Sequence, residues 1–173
     1  MITRTRVLIA ITATALAIAP LAACSTSDST SKVVATSGVP DNGGEPAADA
    51  ARIGATLEIV DGDNKAQVTI ADLAPTTPSQ FASPSGELYS IDITVQALEG
   101  KVNVNPLYFT AKTADGTTLT ADLIGVDDQI TVTELPAGQK VRGLVAFDVP
   151  VGKPITQIVF TGPLGEQLGI WNV

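Results

Sequence analysis

The chain has 173 residues, of which 45% are hydrophobic and only 16% charged, and its formal net charge is −8. That length holds one domain with extensions, and the acidic balance excludes a nucleic-acid binder, which needs a basic surface to displace phosphate counterions. With no histidine, one cysteine and one methionine, the chain cannot build an intrachain disulfide, a histidine-based triad or a Cys/His zinc site.

In chain order, Arg4 and Arg6 precede an apolar stretch over 7–19, and Pro20 breaks any helix begun there. The stretch is shorter than the roughly 20 apolar residues of a spanning helix, so it reads as a signal peptide. Leu21-Ala22-Ala23-Cys24 follows. This tetrapeptide resembles the lipobox of bacterial lipoproteins. The resemblance implies that Leu21, Ala22 and Ala23 are recognised by lipoprotein signal peptidase. It also implies that 1–23 is removed and that the Cys24 thiol carries a diacylglyceryl group. The alternative is an ordinary secretory signal with an incidental cysteine.

Loss of Arg4 and Arg6 leaves 8 basic against 18 acidic side chains, so anionic head groups repel the mature chain. Two acyl chains, at about 0.8 kcal/mol per buried CH₂, outweigh that repulsion. Expected partners are therefore the membrane, through the covalent lipid, and an envelope protein, glycan or lipid. The expected location is the extracytoplasmic face of the cell membrane.

Residues 24–51 are rich in Ser, Thr, Gly, Pro and acidic residues, with Val33, Val34 and Val39 the only large apolar side chains after Cys24. Such a composition buries too little to offset ordering entropy. It predicts a disordered linker with an r.m.s. reach of about 30 Å. Its Ser and Thr residues are candidate O-glycosylation sites.

Residues 52–173 show short alternating runs separated by turns, the pattern of a domain of strands. In 89–97, Tyr89, Ile91, Ile93, Val95 and Ala97 fall on one face and Ser90, Asp92, Thr94 and Gln96 on the other. Runs 56–60 and 67–73 flank Asp61-Gly62-Asp63-Asn64 and predict a hairpin. Runs 107–113 and 117–123 flank Ala114-Asp115-Gly116 and predict another. Runs 130–135 and 140–149 flank Pro136-Ala137-Gly138, and 155–161 and 168–173 complete the set. The expected fold is all-β: an antiparallel immunoglobulin-like sandwich of about seven to nine strands.

The stretch 74–86 carries Pro75, Pro78 and Pro84 and cannot lie inside a sheet. Phe81 sits in its middle. One reading makes Phe81 a partner contact; the other folds it back over the sandwich edge.

Three segments, 86–96, 105–116 and 135–150, resemble the immunoglobulin-like domain of secreted actinobacterial lipoproteins and of the mycobacterial immunoprotective extracellular antigen family. The most specific part is Pro136, Gly138, Gly143, Phe147, Asp148, Val149 and Pro150. The resemblance spans 53–173 and implies a two-sheet sandwich outside the cell. It implies no reaction, and no functional residue is carried over from it.

The remaining chemistry is sparse. Acylation of Cys24 leaves no thiol nucleophile, and no phosphate loop occurs. Calcium needs only oxygen ligands, which makes Asp61, Asp63, Asp127 and Asp128 weak candidates. Asn64 is close to the first pair, and Asp72 falls at the twelfth position from Asp61, but Lys65 and Ala66 occupy positions that an EF-hand loop gives to a ligand and a glycine. No metal, cofactor or catalytic residue is assigned, and Trp171 reads as a core plug. The expected function is a lipid-anchored, non-catalytic binding or accessory module. The alternatives are a carrier holding a hydrophobic envelope ligand between the sheets and a hydrolase using two carboxylates.

Overall fold

The computed structural model describes residues 29–36 and 50–173. The strands are β1 (Ser29–Thr36), β2 (Ala51–Arg52), β3 (Ala55–Asp61), β4 (Asn64–Pro75), β5 (Glu87–Glu99) and β6 (Lys101–Val104). They continue as β7 (Phe109–Thr113), β8 (Thr118–Thr120), β9 (Thr133–Pro136), β10 (Lys140–Val149), β11 (Ile155–Thr161) and β12 (Gln167–Asn172). One five-stranded sheet has the order β1-β3-β4-β5-β10, a second has β2-β12-β11-β7-β8, and β6 and β9 form a ribbon. The all-β sandwich expected from the alternation is thus present. Twelve strands are described rather than seven to nine, because β2 and β6 are short pieces outside the expected runs and β1 lies in the expected linker.

Period-two alternation decides which face of each strand is buried. Ile91, Ile93, Val95 and Ala97 of β5 are buried, with Leu57 and Ile59 of β3, Val68 and Ile70 of β4 and Phe147 of β10 on the same layer. Phe109 and Ala111 of β7, Ile158 and Phe160 of β11 and Trp171 of β12 close the core from the second sheet. The Phe109 and Phe160 rings stack at 4.8 Å between centroids. Trp171 is fully buried and its Nε1–H donates to the Ala55 carbonyl at 2.9 Å, so it is a core plug.

Both expected hairpins form. Asp61 pairs with Asn64 across the β3–β4 turn, and β7–β8 closes through Gly116, whose φ of 85° few residues other than glycine adopt. The turn at Pro136–Gln139 joins strands that pair elsewhere, β9 with β6 and β10 with β5. Run 107–113 is a strand only from Phe109. Pro106 and the Asn105 side chain, which accepts the Leu107 N–H, begin a 3₁₀ turn at Pro106–Tyr108 instead.

Two pieces of the segment expected to be a linker pair with the sheets, and the rest of it lies outside the described residues. Ser29–Thr36 pairs antiparallel with β3, from Ser29 opposite Asp61 to Thr36 opposite Ala55. Ala51 pairs in parallel with Trp171, the one parallel ladder of the named strands. Composition measures side-chain burial. An edge strand gains its partners through main-chain groups, which composition does not report.

The segment after β8 covers the free edge of β10. Asp122 N–H donates to Ala146 O, Ile130 N–H to Leu144 O and Leu144 N–H to Asp128 O, each within 3.0 Å. Expected strand 117–123 therefore ends at Thr120, and the expected run 130–135 is a strand only from Thr133, Ile130 being bonded to β10 instead. Leu88, Val126 and Ala146 form a small apolar cluster beneath this cover. The edges of the second sheet, β2 and β8, are only two and three residues long, which limits edge-to-edge pairing there.

Candidate functional site

Strand directions sort the loops into two ends. The β3–β4 turn, the β5–β6 turn at Gly100, the 3₁₀ turn and the β11–β12 turn share one end with the start of β1. The Pro-rich loop 76–86, the β7–β8 turn, the Leu123–Gly125 part of the segment 121–132 and the β10–β11 turn share the other.

At the second end the Pro-rich loop is held on both flanks. Ser79 Oγ–H donates to Ile124 O at 2.6 Å, Ser79 N–H to Gly125 O at 2.9 Å, and Phe81 N–H to Ser79 Oγ at 3.2 Å. The Asp148 carboxylate accepts the Ser85 and Gly86 N–H groups at 2.8 Å each. Phe81 is nonetheless 72% exposed, which excludes the reading that folds it back over the sandwich edge. Leu123 and Ile124, on the segment that holds Ser79, are also exposed. Side chains of this type held outward in one loop cluster are the composition expected of a contact surface.

Next to this cluster, a groove of about 440 Å³ opens at the mouth of the two sheets. Leu73, Tyr89, Val149, Ile155 and Val173 line it, with Glu87 and Lys153 at its polar part. Its size falls in the range of small-ligand sites. The Lys153 ammonium is 2.9 Å from Asp115 Oδ2. The Thr113 hydroxyl, which donates to Asp115 Oδ1 at 2.6 Å, together with Lys153 and the Thr117 N–H, holds the Asp115 carboxyl well below the usual carboxylate range.

The first end has a smaller cleft of about 50 Å³ between Ile59 and Ala66 on one side and Phe160 and Leu168 on the other. That is room for a few waters and none for an acyl chain. Lys101 on its rim is 2.9 Å from Glu134 Oε1, whose hydrogen bond and charge raise the lysine's pKa. The β11–β12 turn also projects here. Gly162 N–H donates to Glu166 O at 2.8 Å, Gly165 N–H to Gly162 O at 3.0 Å, and Leu164 N–H to Glu166 Oε2 at 3.1 Å. On this turn the Leu164 side chain is 94% exposed.

The candidate oxygen ligands do not converge. Asp61 and Asp63 lie at the first end; Asp127 and Asp128 lie along the β10 edge, where Asp128 O accepts the Leu144 N–H in mid-strand. Asn64 is committed to Lys101, whose N–H its Oδ1 accepts at 2.9 Å. Asp72 sits at the β4 irregularity with φ 51°, eight residues along the strand from Asn64, which is about 26 Å. Among the described residues, no group of three or more His, Cys, Asp or Glu side chains is placed to hold a metal ion. Leu21, Ala22, Ala23 and Cys24 lie outside the described residues.

Sequence reasoning missed the groove, Leu123, Ile124 and Leu164. The apolar runs containing Leu123 and Ile124 look like strand, and nothing local marks them as a segment that crosses a sheet edge. Leu164 lies between turn residues Pro163 and Gly165, which was signal enough to place it outside the core.

No curated protein matches the chain. Among solved structures, the secreted protein MPT63 of Mycobacterium tuberculosis is 25% identical, with a TM-score of 0.62 over 72% of this chain and 96% of its own. The Bacillus subtilis ycdA protein, a lipoprotein candidate, is 21% identical with a TM-score of 0.51, over 64% of this chain and 36% of its own. The B. subtilis yjhA protein is 14% identical with a TM-score of 0.51, over 67% and 85%. These last two share the fold. The model of one family, the domain of unknown function DUF1942, matches residues 48–171, and the chain belongs to that family.

Proposed function

We propose that this protein is a lipid-anchored, extracytoplasmic envelope protein whose sandwich is a non-catalytic binding module. Leu21-Ala22-Ala23-Cys24 after an apolar leader supports the anchor, and likeness to a secreted protein over 96% of that protein's length supports the location. The observation that carries the binding reading is Phe81. A large aromatic side chain is held 72% exposed on a loop tied down by Ser79 and Asp148. A rigid loop loses little entropy on binding, and aromatic side chains dominate contact surfaces.

The test places a photo-crosslinking amino acid at Phe81 and, as control, at Lys32 on β1, in cells producing the full chain. A discrete envelope adduct from position 81 and none from 32 is expected. Absence of any protein, glycan or lipid adduct at 81 overturns the binding reading. Loss of metabolic palmitate labelling in Cys24→Ser is expected of the anchor, and labelling that persists overturns it.

A second reading, a carrier of a hydrophobic ligand, draws support from the apolar groove beside Tyr89. The ligand then lies at the rim of the sandwich, since Trp171, Phe109 and Phe147 fill the space between the sheets. Lipid that co-purifies with the native chain and is lost in Tyr89→Lys is the expected sign.

A further inference from the structure

We infer that the end of the sandwich bearing Leu164 and Leu107 lies against the lipid surface, with Leu164 entering the head-group boundary; this rests on the anchor at Cys24 proposed above. Three observations carry it.

The first is length. Cys24 and Ser29 are five Cα steps apart in the sequence, and five steps span at most about 18 Å. Ser29 is the first residue of β1 and lies opposite Asp61 at the β3–β4 turn. β4 alone is twelve residues long, about 40 Å. A leash of 18 Å cannot bring the opposite end to a bilayer without running most of the length of the sandwich.

The second is what stands at the tethered end. Asp61, the partner of Ser29, borders the same cleft as Gly162 and Pro163, so the β11–β12 turn is adjacent to the leash. That turn holds Leu164 at 94% exposure by three hydrogen bonds of its own. Leu107 on the neighbouring 3₁₀ turn is 49% exposed. These leucines are placed to give apolar contact with no rearrangement of the fold.

The third is charge. The outer face of the β1-containing sheet carries the Lys65–Glu58 and Arg142–Asp92 pairs, which keep that face hydrated. Asp61, Asp63, Glu99 and Glu166 outnumber Lys65, Lys101 and Lys140 around the tethered end. Contact is therefore shallow and apolar rather than electrostatic, and is strongest on a neutral lipid surface.

The test uses the full lipoprotein, purified from envelopes and inserted in phosphatidylcholine vesicles. Because acylated Cys24 offers no thiol, a nitrobenzoxadiazole label attaches only at the new cysteine of Leu164→Cys or of Val151→Cys; Val151 is 79% exposed at the opposite end. The expected result is blue-shifted emission at 164, quenched at least threefold more strongly by brominated lipid than emission at 151. Equal quenching at both positions overturns the orientation while leaving the anchor intact. A blue shift at 164 without lipid quenching means that a second copy or another protein covers the turn, and it also overturns the proposal. A chain that fails to co-float with the vesicles overturns the anchor itself and the orientation with it.

Discussion

Trp171 Nε1–H donates to the carbonyl of Ala55 at 2.9 Å, joining β12 to β3 of the facing sheet over 116 positions of sequence. The indole is fully buried, so one side chain supplies both packing and a polar link between the layers. Trp171→Phe removes the donor and part of the ring and is expected to cost about 1–3 kcal/mol. Trp171→Ala is expected to cost about 3–5 kcal/mol. Urea unfolding of the non-lipidated chain, with an unchanged m value, measures both; a change below 0.5 kcal/mol for Trp171→Phe, on the order of a surface substitution, contradicts the assignment.

Gly143 is a steric requirement. A Cβ there meets the Ile130 Cα and N at 2.9 Å each, where 121–132 crosses the β10 edge. Backbone cannot swing away as a flexible side chain can. Gly143→Ala is expected to destabilise by about 1–3 kcal/mol and to speed hydrogen exchange at the Leu144 and Ile130 amides, which donate to that crossing. Wild-type exchange at both amides refutes this.

Asp148 ties the Pro-rich loop to β10 through two N–H bonds at 2.8 Å. Hydrogen bonds to a charged acceptor are the stronger class. Asp148→Ala is expected to cost about 1–3 kcal/mol and to open 79–86 to limited proteolysis while the core transition stays cooperative. If the loop in the variant resists protease as in the wild type, Asp148 is not its tie.

Asp115 gives a pH dependence. Thr113, then Lys153 and the Thr117 N–H, lower its folded pKa, so folding favours the ionised form. The stabilisation is fully present above the unfolded carboxylate value of about 3.9 and is lost as pH falls toward the lowered folded value. Asp115→Asn is expected to lower Tm at pH 7, with the gap to wild type closing below about pH 4. A gap that widens in acid reverses the sign and refutes the linkage.

The candidate site was partly legible. Phe81 stands out because Pro75, Pro78 and Pro84 mark a loop around it, and proline constrains backbone wherever it occurs. Its exposure was not legible, since two conformations of one loop share one composition; the bond Ser79 donates to Ile124 O and those Asp148 accepts from Ser85 and Gly86, across 45 and 62 or 63 positions of sequence, select between them. Asp61 and Asp72 look like one ligand set by spacing, and become two distant points because a strand rises about 3.3 Å per residue.

The amino-acid order alone determined the alternation of β5, the hairpin turns at Gly62 and Gly116, the all-β class and the absence of histidine chemistry. Each depends on neighbours along the chain, where side-chain period and φ preference act. The tertiary structure alone decided that Ser29–Thr36 joins a sheet, that β9 leaves β10 for β6, and that 121–132 covers the β10 edge. Those are choices between main-chain partners distant in sequence. Every residue except proline offers the same N–H and C=O, so only the packed arrangement determines which pair.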